Sequence, residues 1–179
     1  MVQAKLILES LKQLKVTHVL TVPDNGSRAL LDLLWSDREI QVVSVTREGE
    51  AFAIAAGLWV GGKIPVILIQ NTGLLESGDA LRGTVLRMRV PLLCLITCRG
   101  YAKFSALKAS IAPGAADAEL LSRPDLDSIA LLTEPTLRAW SIPFELLESD
   151  ADTCKIADAF RKAQTLEQPV ALLLTSSTT

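Results

Sequence analysis

A chain of 179 residues can enclose one complete α/β core, so residues 1–179 are expected to form a single domain. Hydrophobic residues make up 49% and aromatics only 4%, an aliphatic balance that suits buried parallel strands covered by helices and argues against a sandwich with wet faces. A net charge of −2, with no basic run and no aromatic stacking ladder, argues against a nucleic-acid partner.

The first sixteen residues read as an amphipathic helix carrying Lys5, Glu9, Lys12 and Lys15, without the apolar centre of a secretion signal. Periodicity places this helix at 4–14 and a strand at 18–22, with His18 entering the strand in a structural role. Val22-Pro23-Asp24-Asn25-Gly26 closes the strand and opens a helix at 27–35, with Asn25 or Ser27 as its cap. A strand at 40–45 leads through Arg47 into a helix at 48–60, which Gly61-Gly62 ends. Pro65 introduces a strand at 66–70, and Asn71-Thr72-Gly73 reads as the polar turn that closes it. A helix at 78–87 and a strand at 92–97 follow, and then Arg99-Gly100. The stretch 101–135 mixes Ala, Ser, Pro and Gly and reads as a long excursion with one or two short helices. A helix at 136–140, a strand at 141–145, a helix at 152–165 and a strand at 170–174 complete the pattern, and the Ser-Ser-Thr-Thr end is expected to fray.

This alternation predicts a three-layer α/β fold, a mostly parallel six-stranded sheet with helices on both faces. Ligands of open parallel sheets gather beyond the carboxyl ends of the strands. The segments at Pro23-Asp24-Asn25, Arg47-Glu48, Asn71-Thr72-Gly73 and Arg99-Gly100 all fall there. The longest apolar runs, 65–69 and 91–97, are too short to span a membrane, and a cytoplasmic protein is expected. Cys94, Cys98 and Cys154 lack metal-ligand spacing and are expected to be reduced thiols.

Three places carry candidate chemistry. Glu48 opens a helix, where an acidic side chain interacts with the positive end of the macrodipole for about 0.3–1 kcal/mol. The residues after it, Ala51, Ala53, Ala55, Ala56 and Gly57, remove bulk and admit close approach by a partner surface. Asp24 and Asn25 are helix caps or polar groups for a substrate. Arg99 is a surface charge or a forked anchor for an anion.

Taken in order, Val22-Pro23-Asp24-Asn25-Gly26, the run from Arg47 to Gly57 and Gln70-Asn71-Thr72-Gly73-Leu74 resemble the pyrimidine-binding (PYR) domain of thiamine diphosphate enzymes, in the branch of sulfopyruvate and phosphonopyruvate decarboxylases. The resemblance extends from residue 18 to 174, including Glu134-Pro135-Thr136-Leu137-Arg138-Ala139-Trp140. It implies that Glu48 is the glutamate that hydrogen-bonds N1′ of the aminopyrimidine and favours its imino tautomer, with Gly57 nine positions on. It implies cofactor contacts from Val22, Pro23, Glu48, Asn71, Thr72 and Gly73, and substrate contacts from Asp24, Asn25 and Arg99. The family holds the diphosphate through Mg²⁺ on a Gly-Asp-Gly…Asn motif, which this sequence lacks. The resemblance therefore implies a β subunit that carries the diphosphate-binding (PP) domain and the metal, a hetero-oligomer, and no metal ligand here.

Leu75 and Glu76 stand where phosphonopyruvate decarboxylases have Gly-Asn, and Asp79 stands where they have Asn. An added carboxylate is expected to repel an anionic substrate tail. Two other readings stay open: a non-catalytic PYR-like module that stabilises a partner, and a doubly wound domain binding a nucleotide or flavin. The latter lacks a Gly-x-Gly-x-x-Gly turn.

Overall fold

The computed structural model describes residues 1–103 and 117–179. Its elements run α1 (Ala4–Gln13), β1 (His18–Thr21), α2 (Arg28–Ser36), β2 (Gln41–Ser44), α3 (Glu48–Val60), β3 (Pro65–Gln70), α4 (Asn71–Glu76), α5 (Gly78–Ala80) and a π-helical turn (Leu81–Leu86). After β4 (Leu93–Thr97) come α6 (Ala118–Leu121), α7 (Ser128–Ala139), β5 (Phe144–Leu147), α8 (Cys154–Leu166) and β6 (Val170–Leu174). All six strands pair in parallel in the order β2-β1-β3-β4-β6-β5. The sheet is thus wholly parallel where the sequence predicts a mostly parallel one.

The central strands β3, β4 and β6 are buried on both faces and read as continuous Val, Ile and Leu, as parallel strands between two helical layers must. One face presents Val19, Val66, Leu68, Leu93, Leu95, Val170 and Leu172 to α1, α2 and α8. The other presents Leu20, Ile67, Ile69, Cys94, Ile96 and Leu173 to α3, the π-helical turn and α7. Burial pushes the Cys94 thiol up to about 12, so it behaves as a small apolar group.

Four helices end in the same way. Lys15, Arg89, Ser141 and Glu167 adopt left-handed backbone at φ 57°, 56°, 56° and 51°. The next amide reaches back to the last turn, as in Val16 N–H to Leu11 O at 3.1 Å and Ile142 N–H to Leu137 O at 2.9 Å. Val16, Val90 and Ile142 then bury their side chains, which turns the chain into the following strand or strand approach.

Four expectations are corrected. The helix expected at 136–140 begins at Ser128, because the Asp127 side chain caps it and Ile129, Ala130, Leu131 and Leu137 are buried; the exposed Pro135 sits inside it. The strand expected at 141–145 is Phe144–Leu147, since Ser141 is occupied in ending the helix and Pro143 has no amide to pair. The carboxyl end is tied down: Thr178 N–H bonds Gly26 O at 2.9 Å, and Thr178 bridges Val2. The helix expected at 78–87 is α-helical only over Gly78–Ala80 before the π turn. Of the excursion 101–135, residues 104–116 lie outside the described residues; α6 and the first turns of α7 lie within it.

Candidate active site

From β1 the chain steps outward to β2 and then back across β1 to β3, so strand order reverses between β1 and β3. At such a reversal neighbouring loops diverge and leave a crevice beyond the strand ends. The segment after β1, the start of α3 and the start of α4 all meet this edge of the sheet.

Glu48 is the first residue of α3, and Arg47 precedes it in extended conformation without a side-chain cap. Three carboxylates surround this helix start. Glu50 accepts the Thr46 N–H at 3.1 Å and its hydroxyl at 2.9 Å. Glu76, from the last residue of α4, accepts the Gly49 N–H at 2.8 Å through Oε2 and Arg47 at 2.8 Å (Nε) and 2.6 Å (Nη2) through Oε1. These partners hold both carboxyls below the ordinary glutamate value: the Thr46 hydroxyl first for Glu50, the Gly49 amide and then Arg47 for Glu76. Among the described residues, the half-buried carboxylate of Glu48 makes neither a hydrogen bond nor an ion pair.

Glu48 rests on Gly73. A Cβ at residue 73 would overlap Cγ, Cδ and Oε1 of Glu48, so only glycine admits the side chain there. Gly73 lies inside α4, because Asn71-Thr72-Gly73 forms the first turn of a helix that follows Gln70, where the sequence predicts a turn. Thr72 is exposed and donates its hydroxyl to Gln70 Oε1 at 2.9 Å.

The other candidates are occupied with the fold. Asn71 is fully buried; its Nδ2 donates to Arg99 O and Thr133 Oγ1, and its Oδ1 accepts the Arg99 N–H, each at 3.1 Å. Asp24 accepts the Gly26 N–H at 2.6 Å, the Ser27 hydroxyl at 2.8 Å and the Thr97 hydroxyl at 3.1 Å, which ties the β1 loop to the end of β4. Ser27 precedes α2 as its cap residue, but the carboxylate over the helix start is that of Asp24. Val22 is half-buried, while Pro23 and Asn25 are exposed. Arg99 is exposed and paired with Asp127 at 2.7 Å. The two line a cavity of roughly 600 Å³ with Lys103, Asp125 and Ser128. Gly100 beside it has φ 83°, and a Cβ there would press on Asp127.

The structure brings Glu48 and Gly73 into contact and joins Asn71 to the Arg99 backbone, while Asp24 is turned to β4. Two partners escaped sequence reasoning: Asp127, which pairs Arg99, and Glu76, which holds the start of α3. Glu76 was expected to add a repelling charge. Arg47 and the α3 amide balance it instead, and only the charge complementarity of Arg47 and Glu76, 29 residues apart, offered a signal.

Residues 1–119 match the family described as thiamine pyrophosphate enzyme, N-terminal TPP binding domain. The sulfopyruvate decarboxylase subunit alpha of Methanococcus maripaludis is 30% identical over 160 residues, which cover 89% of this chain and 86% of that one. The phosphonopyruvate decarboxylase of Streptomyces hygroscopicus is 37% identical over 100 residues, 56% of this chain and 25% of that protein. This chain therefore matches about a quarter of the latter's length. The fold is shared with benzoylformate decarboxylase from Polynucleobacter necessarius at a TM-score of 0.64 and 21% identity, over 100% of this chain and 31% of that one.

Proposed function

The chain belongs to the thiamine pyrophosphate enzymes, matching their N-terminal TPP-binding domain, and from that premise we propose that it is the pyrimidine-binding (alpha) subunit of a two-chain 2-oxo acid decarboxylase. Its substrate is a three-carbon 2-oxo acid with a sulfonate or phosphonate tail, and its products are CO2 and the corresponding aldehyde. The relatives named sulfopyruvate decarboxylase subunit alpha and phosphonopyruvate decarboxylase support that substrate class. In this reading residues 1–179 are one domain, the enzyme works in the cytoplasm, and a β subunit holds Mg²⁺ and the diphosphate.

The observation that carries the reading is the Glu48 carboxylate, unpaired among the described residues, at the start of α3 and laid on Gly73 at the edge where the strand order reverses. Thiamine diphosphate, when bound, supplies the electron sink that a 2-oxo acid needs in order to lose CO2. The residues here fit its pyrimidine half, because a carboxylate with no partner among the described residues can share a proton with a ring nitrogen. Gly73 fixes where that carboxylate lies, and the exposed Thr72 hydroxyl borders the same turn. Val22 and Pro23, on the segment after β1, are the further cofactor contacts in this reading. Asn71 and Asp24 act by holding the Arg99 turn and the β1 loop in place. Asn25 and Arg99 are the substrate contacts in this reading, and an anionic tail would compete with Asp127 for the Arg99 fork.

The test is reconstitution with a partner chain bearing a Gly-Asp-Gly…Asn motif, thiamine diphosphate and Mg²⁺, followed by CO2 release from sulfopyruvate and phosphonopyruvate. Release from one or both, lost in Glu48→Gln by at least about 100-fold, is expected. An assembled pair inert on both substrates would remove the reading.

A further inference from the structure

Glu76 differs from its neighbours in what it joins. It ends α4, yet its carboxylate closes the start of another helix. That helix needs closing from outside: its cap residue is Arg47, not Ser, Thr, Asp or Asn, and the Arg47 side chain makes no capping bond. Gly49 follows Glu48 directly, so the backbone beside the carboxylate has the freedom of a glycine. Glu76 takes the Gly49 N–H on one oxygen and Arg47 on the other, gripping the residues on both sides of Glu48. Gly73 and Glu76 stand three positions apart on α4 and so share one face of it. One helix face thus provides both the floor under Glu48 and the clamp on its backbone.

We infer that Glu76 is a positioning residue for Glu48: by bonding Gly49 N–H and Arg47 it fixes the first turn of α3 against α4 and keeps the Glu48 carboxylate over Gly73. The inference rests on Glu48 being the group that addresses the cofactor. The bond to Gly49 N–H does the positioning, and the pairing with Arg47 orients the carboxylate that makes it.

Three variants and two readouts test this, using the full chain reconstituted with its partner for turnover and the full chain for amide exchange. Glu76→Ala loses both bonds and lowers kcat about 10-fold with KM nearly unchanged, because a small displacement of a reacting group is costly while binding is not. Hydrogen exchange at Gly49 rises about 10-fold in the same variant. Glu76→Gln keeps an oxygen for the Gly49 amide and restores both readouts to within about 3-fold of the parent. Glu76→Asp, one methylene short, falls between them and serves if the alanine variant does not fold.

A purely structural residue would lower the melting temperature of Glu76→Ala and leave kcat per folded enzyme unchanged, which overturns the inference. So does a glutamine variant as slow as the alanine one, since charge rather than the amide bond would then matter. Glu48→Gln separates the two levels. If it is inactive while Glu76→Ala is fully active, only the positioning role falls; if it is fully active, the assignment of Glu48 falls and the positioning role with it.

Discussion

Helices α1 and α3 cover opposite faces of one sheet, and they are finished differently. α1 buries Ala4, Ile7 and Leu11 at helical spacing and turns Lys5, Glu9 and Lys12 outward. That is an apolar stripe completed by a charged exterior, a helix made to end at water. α3 buries Ala51, Phe52, Ala55 and Ala56, but its outer side carries Ala53, Ile54, Gly57 and Val60, and Val60 is 65% exposed. A helix apolar all round belongs in an interior. The layer built on α1 is finished toward water, and the one built on α3 leaves an apolar outer side, with Glu48 at the start of that helix.

Variants should separate the two roles. Leu11→Ala, in the finished layer, should cost about 2–5 kcal/mol in denaturant unfolding and leave kcat per folded enzyme alone. A parallel loss of kcat would tie α1 to the site and erase the distinction. Gly73→Ala should do the reverse. The added methyl displaces a flexible side chain, so unfolding should shift by no more than about 1 kcal/mol, helped by the better helix propensity of alanine. Turnover in the reconstituted pair should fall about 100-fold as Glu48 leaves its seat. Retained turnover would mean that the seat is unimportant.

Val60→Glu sharpens the contrast at the surface. The free chain should be unmoved, within about 0.5 kcal/mol, whereas association with the partner, read by ultracentrifugation, should weaken about 10-fold. Equal association would place the partner elsewhere. The smallest effect is acid sensitivity. Asp37 is held below the ordinary aspartate value by Lys12, and Asp152 by Lys155. Both lie on the α1 side of the molecule, at α1–α2 and before α8. Because the unfolded chain takes up protons first, their contribution is complete above about pH 5 and lost as pH falls through the lowered values. The melting temperature should therefore decline below about pH 5, and less so in Lys12→Met. An identical decline would assign it to other groups.

Most of the fold was legible because strand and helix periods alternate cleanly, and runs such as Val66–Ile69 admit little but a buried strand. What escaped was decided by tertiary contact. Pro135 argues locally against a helix, yet Ile129, Leu131 and Leu137 bury enough surface to carry one through it. Asn71-Thr72-Gly73 has turn composition but starts α4, because β3 ends directly against it and Asn71 finds partners in Arg99 and Thr133, 28 and 62 residues away. Thr178 is held by Gly26 across 152 residues, which no local pattern announces. The position of Glu48 at the head of an alanine-rich helix was legible. Glu76 was not, since its role depends on how α4 lies against α3.

Calorimetric titration of thiamine diphosphate with Mg²⁺ into the chain, alone and with its β partner, in parent and Glu48→Gln forms, tests the split site most directly. Binding only in the presence of the partner, with decarboxylation lost in Glu48→Gln, is the predicted result. Tight binding and turnover by the isolated chain, or a Glu48→Gln pair as active as the parent, would contradict it.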